Sequence, residues 1–414
     1  MQVMQARKAH SLIGQVYDLR NLARAWERVK ENRGAGGVDG VTVARFEENR
    51  EHYLGLLHQR LKDGSYRPRP VRRVEIDKPG SATKRPLGIP TVMDRVCQQA
   101  VVNVLEPIFE PGFRDESFGF RPGRSTHMAM RRIWRQLQEG STWVVDADIA
   151  DFFGTLSHST LVGLVAQRVA DGKVLGLVRQ FLEAGVLRDG VVEPTITGVP
   201  QGGVVSPLLS NIYLHVFDVK MAEAGYALTR YADDWLIVCS SRREAGRALT
   251  DARAVLEGEL GLRVHPDKTR IVHVSQGFEF LGYKVKRGRG LSHTTGKPSL
   301  YAFPRDRSIQ RFKDKVRAAT NRRNPKSLEG LIDELNPIIR GWGNYYRRAH
   351  VRGLFHRLNG WIVRRIWSWR FKRWRNAGWR ELPERRLYGQ LGLVNLLQLV
   401  PSMQGYYRQK GYSR

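Results

Sequence analysis

The sequence predicts an α+β fold followed by a basic, helical region, and three observations carry that prediction. Runs rich in β-branched and aromatic residues (WVVDADI, YALTRYADDWLIVCS, GFEFLGYKV) alternate with helical stretches through the first 300 residues. From residue 301 to 414 the composition changes: 26 Lys and Arg face 7 Asp and Glu, and six of the ten tryptophans fall there. No apolar run approaches the ~20 residues that a membrane-spanning helix needs.

The elements follow in order. Residues 1–45 read as an N-terminal extension, helical around Leu19, Leu22, Trp26 and Val29 and closing on the Gly-rich RGAGGVDGVT. Residues 46–140 open with a helix around 46–61. RPVRRVEIDKPG then reads as a strand entering a turn at Lys78-Pro79-Gly80, and a second helix covers about 94–109. Residues 141–305 hold the three strand-like runs, with helices expected around 159–187 and 243–260. From 306 to 378 three helices are expected, near 306–322, 327–347 and 351–376. Residues 379–414 form a short basic tail, in which 391–400 reads as a packing helix.

The charge narrows the partner. Lys and Arg number 69 against 40 acids, a net of +29. A fold does not need that excess, which costs self-repulsion and suits a polyanion. Nucleic acid is the first candidate; a membrane is not expected. The N-terminus MQVMQARKAHSL has no apolar core of a secretion signal. Cys97 and Cys239 lack a CxxC partner and read as buried small hydrophobes, which points to a reducing, cytoplasmic setting.

The chemistry rests on carboxylates. In Tyr231-Ala232-Asp233-Asp234, apolar residues lead in and out, so a strand–turn–strand would place two acids at a hairpin tip. Side by side they repel unless a cation intervenes. Alone, such a pair is more often an ordinary solvated turn. In Trp143-Val144-Val145-Asp146-Ala147-Asp148-Ile149, alternation puts Asp146 and Asp148 on the face opposite Val145, Ala147 and Ile149. An acid at a strand end plus a hairpin carrying two more is how a two-metal site is built, with Mg²⁺ ions ~4 Å apart.

RPLGIPTVMDRVCQQAV, ESFGFRPGRS, GVPQGGVVSPLLSNIYLH, RYADDWLIV and LNPIIRGWGNYYR, in that order along the chain, resemble group II intron reverse transcriptases from about residue 25 to 375. The resemblance implies a right-hand polymerase: fingers (46–140), a palm with an antiparallel sheet (141–305), and an all-helical thumb or maturase (X) domain (306–378). It makes Asp148, Asp233 and Asp234 the metal-binding catalytic aspartates, with the Ile149 carbonyl as a further ligand. It implies two Mg²⁺ ions, replaceable in vitro by Mn²⁺. Phe153 becomes the steric gate against a ribose 2′-OH, and Lys78 and Arg85 the grip on the triphosphate. Gln201, in Gly198–Gly203, lies beside the nucleotide, and Lys268 is placed to protonate departing pyrophosphate. Arg121 and Arg124 are expected on the template or primer backbone, and Phe280–Tyr283 under the primer. Asp146 is the nearest alternative to Asp148. The chain departs from the family's usual FFD at Phe152-Phe153-Gly154, which leaves the local hydrogen bonding open.

In the thumb, Arg340, Arg364, Arg365, Arg370, Lys372 and Arg373 are implied contacts to structured RNA. The tryptophans there more often pack helices than stack on bases. No Cys or His cluster follows, so no zinc-supported endonuclease is expected, and the tail reads as a reduced DNA-binding segment. The implied partners are RNA template and primer, deoxynucleoside triphosphates, group II intron RNA and target DNA, in a ribonucleoprotein. Two other readings stay open: a splicing maturase without polymerase activity, and a domesticated relative serving CRISPR spacer capture, diversity generation or defence.

Overall fold

Helices and strands form largely where caps and apolar spacing put them in the computed structural model, which describes residues 8–77, 84–289, 298–372 and 378–401. The chain divides into two units, residues 1–271 and 272–414.

The first unit begins with α1 (Ile13–Tyr17) and α2 (Leu19–Glu31). Asp18 starts α2 by accepting a bond from the Arg20 amide, and Leu22, Trp26 and Val29 form its buried face. Leu19, expected on that face, is 52% exposed. The helix expected at 46–61 is two: α3 (Val43–Glu48), capped by Thr42, and α4 (Arg50–Asp63), broken from it at Asn49. β1 (Val71–Asp77) and β2 (Lys84–Ile89) pair antiparallel, and α5 (Val92–Phe109) follows, buried along most of its length. After α6 (Thr126–Gln138) comes β3 (Trp143–Ala150), in which Val145, Ala147 and Ile149 are buried while Asp146 and Asp148 are only partly covered.

The helical stretch expected around 159–187 forms as α8 (His158–Ala166) and α9 (Gly172–Glu183), followed by β4 (Val186–Arg188) and preceded by the short α7 (Phe152–Thr155). Asp171 stops the run by capping α9 through the Lys173 and Val174 amides. β4 pairs parallel with β1, and β5 (Val191–Glu193) closes a four-stranded sheet in the order β2-β1-β4-β5. α10 (Ser206–Glu223) leads to the hairpin β6 (Ala227–Tyr231) and β7 (Asp234–Cys239). Then come α11 (Arg242–Arg253), β8 (Arg263–Val264) and β9 (Arg270–His273). The second sheet runs β6-β7-β3-β8, with β9 also on β3. A single apolar core from Leu12 to Val264 underlies this unit and includes both cysteines.

The second unit opens with strands β10 (Phe278–Phe280), β11 (Tyr283–Arg289) and β12 (Pro298–Pro304), followed by α12 (Asp306–Ala319), α13 (Leu328–Tyr346) and α14 (Arg352–Phe371). The compact units therefore divide at 271/272, ahead of these strands. The strands go with the helices because tyrosines lock them together. Tyr345 Oη donates to the Leu281 carbonyl at 2.7 Å and Tyr346 Oη to Gly282 at 3.1 Å, and the Tyr283 ring stacks on Tyr345. Of the tail, Leu396–Leu399 is a short 3₁₀ turn, not a full helix. It is tied to α13 and α14 by Asn336 and Asn359, which bond the Val394 and Leu396 amides. No described helix is long and apolar enough to cross a membrane.

Candidate active site

Two ladders bring the acids together. β3 pairs with β7 so that Asp148 lies directly opposite Asp234. β6 pairs with β7 so that Tyr231 faces Asp234, which leaves Ala232 and Asp233 as a two-residue turn. Ala232 has φ +58°, the demand of the first central position in a type II′ turn, where Gly is usual. An alanine there is held by its surroundings. Arg230 Nη1 donates to the Ala232 carbonyl at 2.8 Å. Gly119 lies so close that a Cβ on it would sit 2.2 Å from the Ala232 nitrogen. Beside it, the Phe118 amide bonds the Arg230 carbonyl and the Arg230 amide bonds Glu116, both at 2.9 Å.

The electrostatics ask for a cation. The Asp234 carboxyl is pushed up to about 7, first by burial and then by the charges of Asp233, Asp148 and Asp146, with Lys268 opposing. Lys268 Nζ sits 2.5 Å from Asp148 Oδ2. Arg270 pairs with Asp146 at 2.7 Å, and Asp146 lies opposite Leu236, two residues back from the turn, which makes it the weaker candidate ligand. Ile149 lies one residue past the last β3–β7 pair, with its side chain buried. Among the described residues no group of three or more His, Cys, Asp or Glu side chains is placed to hold a metal ion on its own.

The sequence matches the family model for reverse transcriptase (RNA-dependent DNA polymerase) over residues 76–285, just over half of the chain. It also matches the group II intron maturase-specific domain over residues 309–388. The chain belongs to the group II intron reverse transcriptase/maturase family. Its enzyme class is RNA-directed DNA polymerase, and reverse transcriptases generally use divalent metal ions. Protein YkfC of Escherichia coli (strain K12) is 36% identical over 65% of this chain and 81% of that protein. Group II intron-encoded protein LtrA of Lactococcus lactis subsp. cremoris is 33% identical over 66% of this chain and 56% of that protein. An uncharacterized 91 kDa protein in the cob intron of Schizosaccharomyces pombe is 29% identical over 80% of this chain and half of its own length.

Around this reverse transcriptase's acidic cluster, the half-buried Phe153 stands on α7 with its ring edge-on to Phe152. Its carbonyl accepts from the Val199 amide at 2.7 Å, and the Gln201 carbonyl accepts from Gly88 on β2 at 2.8 Å. The 198–203 loop thus braces Phe153 against the β1–β2 hairpin. The departure at Gly154 has a structural answer: a Cβ there would lie 2.3 Å from Asp151 Oδ2, so the Asp151 carboxylate fills that space. Arg85 lies on β2 opposite Ile76. Lys78 and Arg373 lie outside the described residues.

The basic residues divide. Arg121, expected on nucleic acid, has a side chain only 3% exposed and bonds Glu110 at 2.8 Å and the Ser117 carbonyl at 2.8 Å. A guanidinium enclosed in this way supports its own loop, and the expected phosphate contact does not fit. Arg124 is partly open and pairs with Asp115 at 2.5 Å. In the maturase unit Arg340, Arg364, Arg370 and Lys372 are exposed. Arg365 instead bonds the Thr320 hydroxyl (2.9 Å) and carbonyl (3.0 Å), and Lys372 bonds the Arg322 carbonyl. Both close the C-terminal end of α12. Trp367 and Trp369 are buried and Trp379 is 57% exposed.

Sequence reading missed three residues next to the cluster: Asn211 and Asp218 on α10 and Arg230 on β6. Each alone looks like a polar residue in an apolar run. The available signal was that neither run had a solvent face to put it on. His158 was also missed; its Nε2 lies 2.6 Å from the Gly198 carbonyl and ties α8 to the same loop.

Proposed function

We propose that this chain copies RNA into DNA by two-metal nucleotidyl transfer at Asp148, Asp233 and Asp234. The observation that carries the reading is the register: Asp148 opposite Asp234, with Asp233 in the adjoining turn. These three carboxylates, with the Ile149 carbonyl, would hold the ions. When bound, such ions activate a primer 3′-hydroxyl and neutralise the triphosphate. Lys268, already on Asp148, is placed to release a proton to departing pyrophosphate. Phe153 excludes a ribose 2′-OH, while Gln201, Lys78 and Arg85 hold the deoxynucleoside triphosphate. Arg340, Arg364 and Arg370 take an RNA backbone, and intron RNA and target DNA complete a cytoplasmic ribonucleoprotein that assists splicing and mobility.

A splicing-only protein would have no reason to keep this acidic cluster and its lysine together, which favours the polymerase reading. Incorporation of dNTPs on a primed RNA homopolymer with Mg²⁺ tests it. Wild type should incorporate and Asp233→Ala should not; equal incorporation by the two overturns it. A catalytic-intron fold in the DNA flanking the gene would support the maturase half over a domesticated role.

A further inference from the structure

Arg230 and Asp218 are both fully buried, with no exposed side-chain surface. Burying a charge pair is a poor route to stability, because two apolar residues of similar volume serve as well or better. A pair of this kind beside a catalytic turn invites a specific reason, and its contacts supply one. Arg230 Nε and Nη2 bond the two Asp218 oxygens at 2.6 and 2.5 Å, the fork-on-carboxylate arrangement that only arginine makes. That leaves Nη1, which donates to Asn211 Oδ1 at 3.1 Å and to the Ala232 carbonyl at 2.8 Å. Asn211 Nδ2 donates to the Gly119 carbonyl at 2.9 Å. Asn211 and Asp218 lie seven residues apart on α10, two turns along one face. The guanidinium is thus anchored to a rigid helix at one end and to the catalytic turn at the other.

We propose that Asp218, Arg230 and Asn211 form a buried strut that sets the backbone of the Ala232-Asp233 turn, and with it the spacing of Asp233 and Asp234 from Asp148. The proposal rests on the polymerase reading above. It also gives the FGF segment a role: Phe118 and Gly119 press on the turn from the other side, and Asn211 ties them to the same strut. None of the three side chains touches substrate; they are positioning residues. Lysine at 230 could not replace arginine, because one ammonium cannot hold the carboxylate in a fork and reach the Ala232 carbonyl in a fixed plane.

The test is the neutral double variant D218L/R230M, which removes both charges and so avoids stranding one. Three quantities are read: the thermal midpoint, Mn²⁺ binding to the nucleic-acid-free protein by electron paramagnetic resonance, and kcat and KM for dNTP. The midpoint should stay near wild type while Mn²⁺ affinity and kcat fall about 10- to 100-fold and KM moves little. A folded double variant with wild-type Mn²⁺ binding and kcat overturns the strut. If the double variant does not fold, Asn211→Ala keeps the ion pair and should give a smaller loss in the same two quantities; a folded Asn211→Ala with neither loss overturns it equally. Asp233→Ala runs alongside. If it incorporates like wild type, the polymerase reading fails; if it is dead while the strut variants are unaffected, only the strut fails.

Discussion

Arginine plays opposite parts in the two units. In residues 1–271, Arg230 and Arg121 are enclosed and spend their donors on carboxylates and carbonyls of the chain. In residues 272–414, Arg340, Arg364 and Arg370 stand in solvent on α13 and α14. Arg365, in the same dense run, is half-buried and behaves like the first group, closing a helix end. Density of basic residues therefore does not report their role; burial and the number of internal acceptors do. Where donors are consumed internally, the residue sets geometry. Where they face water, it is free to neutralise phosphate.

Four experiments would break or sharpen that contrast. The largest effect belongs to the centre that the buried arginine serves: Asp233→Ala should lower dNTP incorporation by about 10³-fold or more, a loss of several kcal/mol in the transition state. Retained incorporation would remove the reason for ranking the first unit as the catalytic one. Next, Arg121→Met should destabilise the chain by on the order of 2 kcal/mol in denaturant, since it strands Glu110 and the Ser117 carbonyl. It should leave the salt dependence of RNA binding alone; a reduced salt slope would return Arg121 to the nucleic-acid surface.

The third concerns pH. The folded-state Asp234 carboxyl is raised from 3.8 to about 7. Its protonated form is the favoured one in the fold, so its contribution to stability is complete below about 3.8 and is lost as pH rises through 7. In chelator, Asp234→Asn should therefore melt slightly above wild type at pH 8, the gain being reduced because Asp234 is exposed at the start of β7, and level with it at pH 4. The same gap at both pH values would contradict the crowding of acids at the turn. The smallest effect is on the exposed side. Arg364→Gln and Arg370→Gln should each cut the slope of log affinity for RNA against log salt by up to about one unit, with unchanged thermal midpoint. A loss of stability without a change in slope would move these residues into the first group.

Much of the molecule was legible in its sequence. The alternation in WVVDADI placed Asp146 and Asp148 on one face, and YADD read as a hairpin tip, because a period of two and a turn between apolar runs are local properties. Three thumb helices were expected and three formed. The errors were also local in origin. The single helix expected at 46–61 was broken at Asn49, where side-chain and backbone bonds overrode apolar spacing, while the helical stretch expected at 159–187 formed as two helices, the second capped by Asp171. Strands β10 to β12, placed with the palm by their position in sequence, are bound by tyrosines from α13, a contact that no local period announces.

The sequence by itself determined the local pattern: which carboxylates stand at a strand end and at a hairpin tip, in what order, and with what excess of positive charge. Only the tertiary structure decided which charged residues are partners. Asp218 and Arg230 lie twelve positions apart on a helix and a strand, and no period relates them. Their pairing follows from packing that helix against the sheet. Once water is excluded there, each buried charge needs the other, and the one remaining donor is left to hold the turn that carries the aspartates.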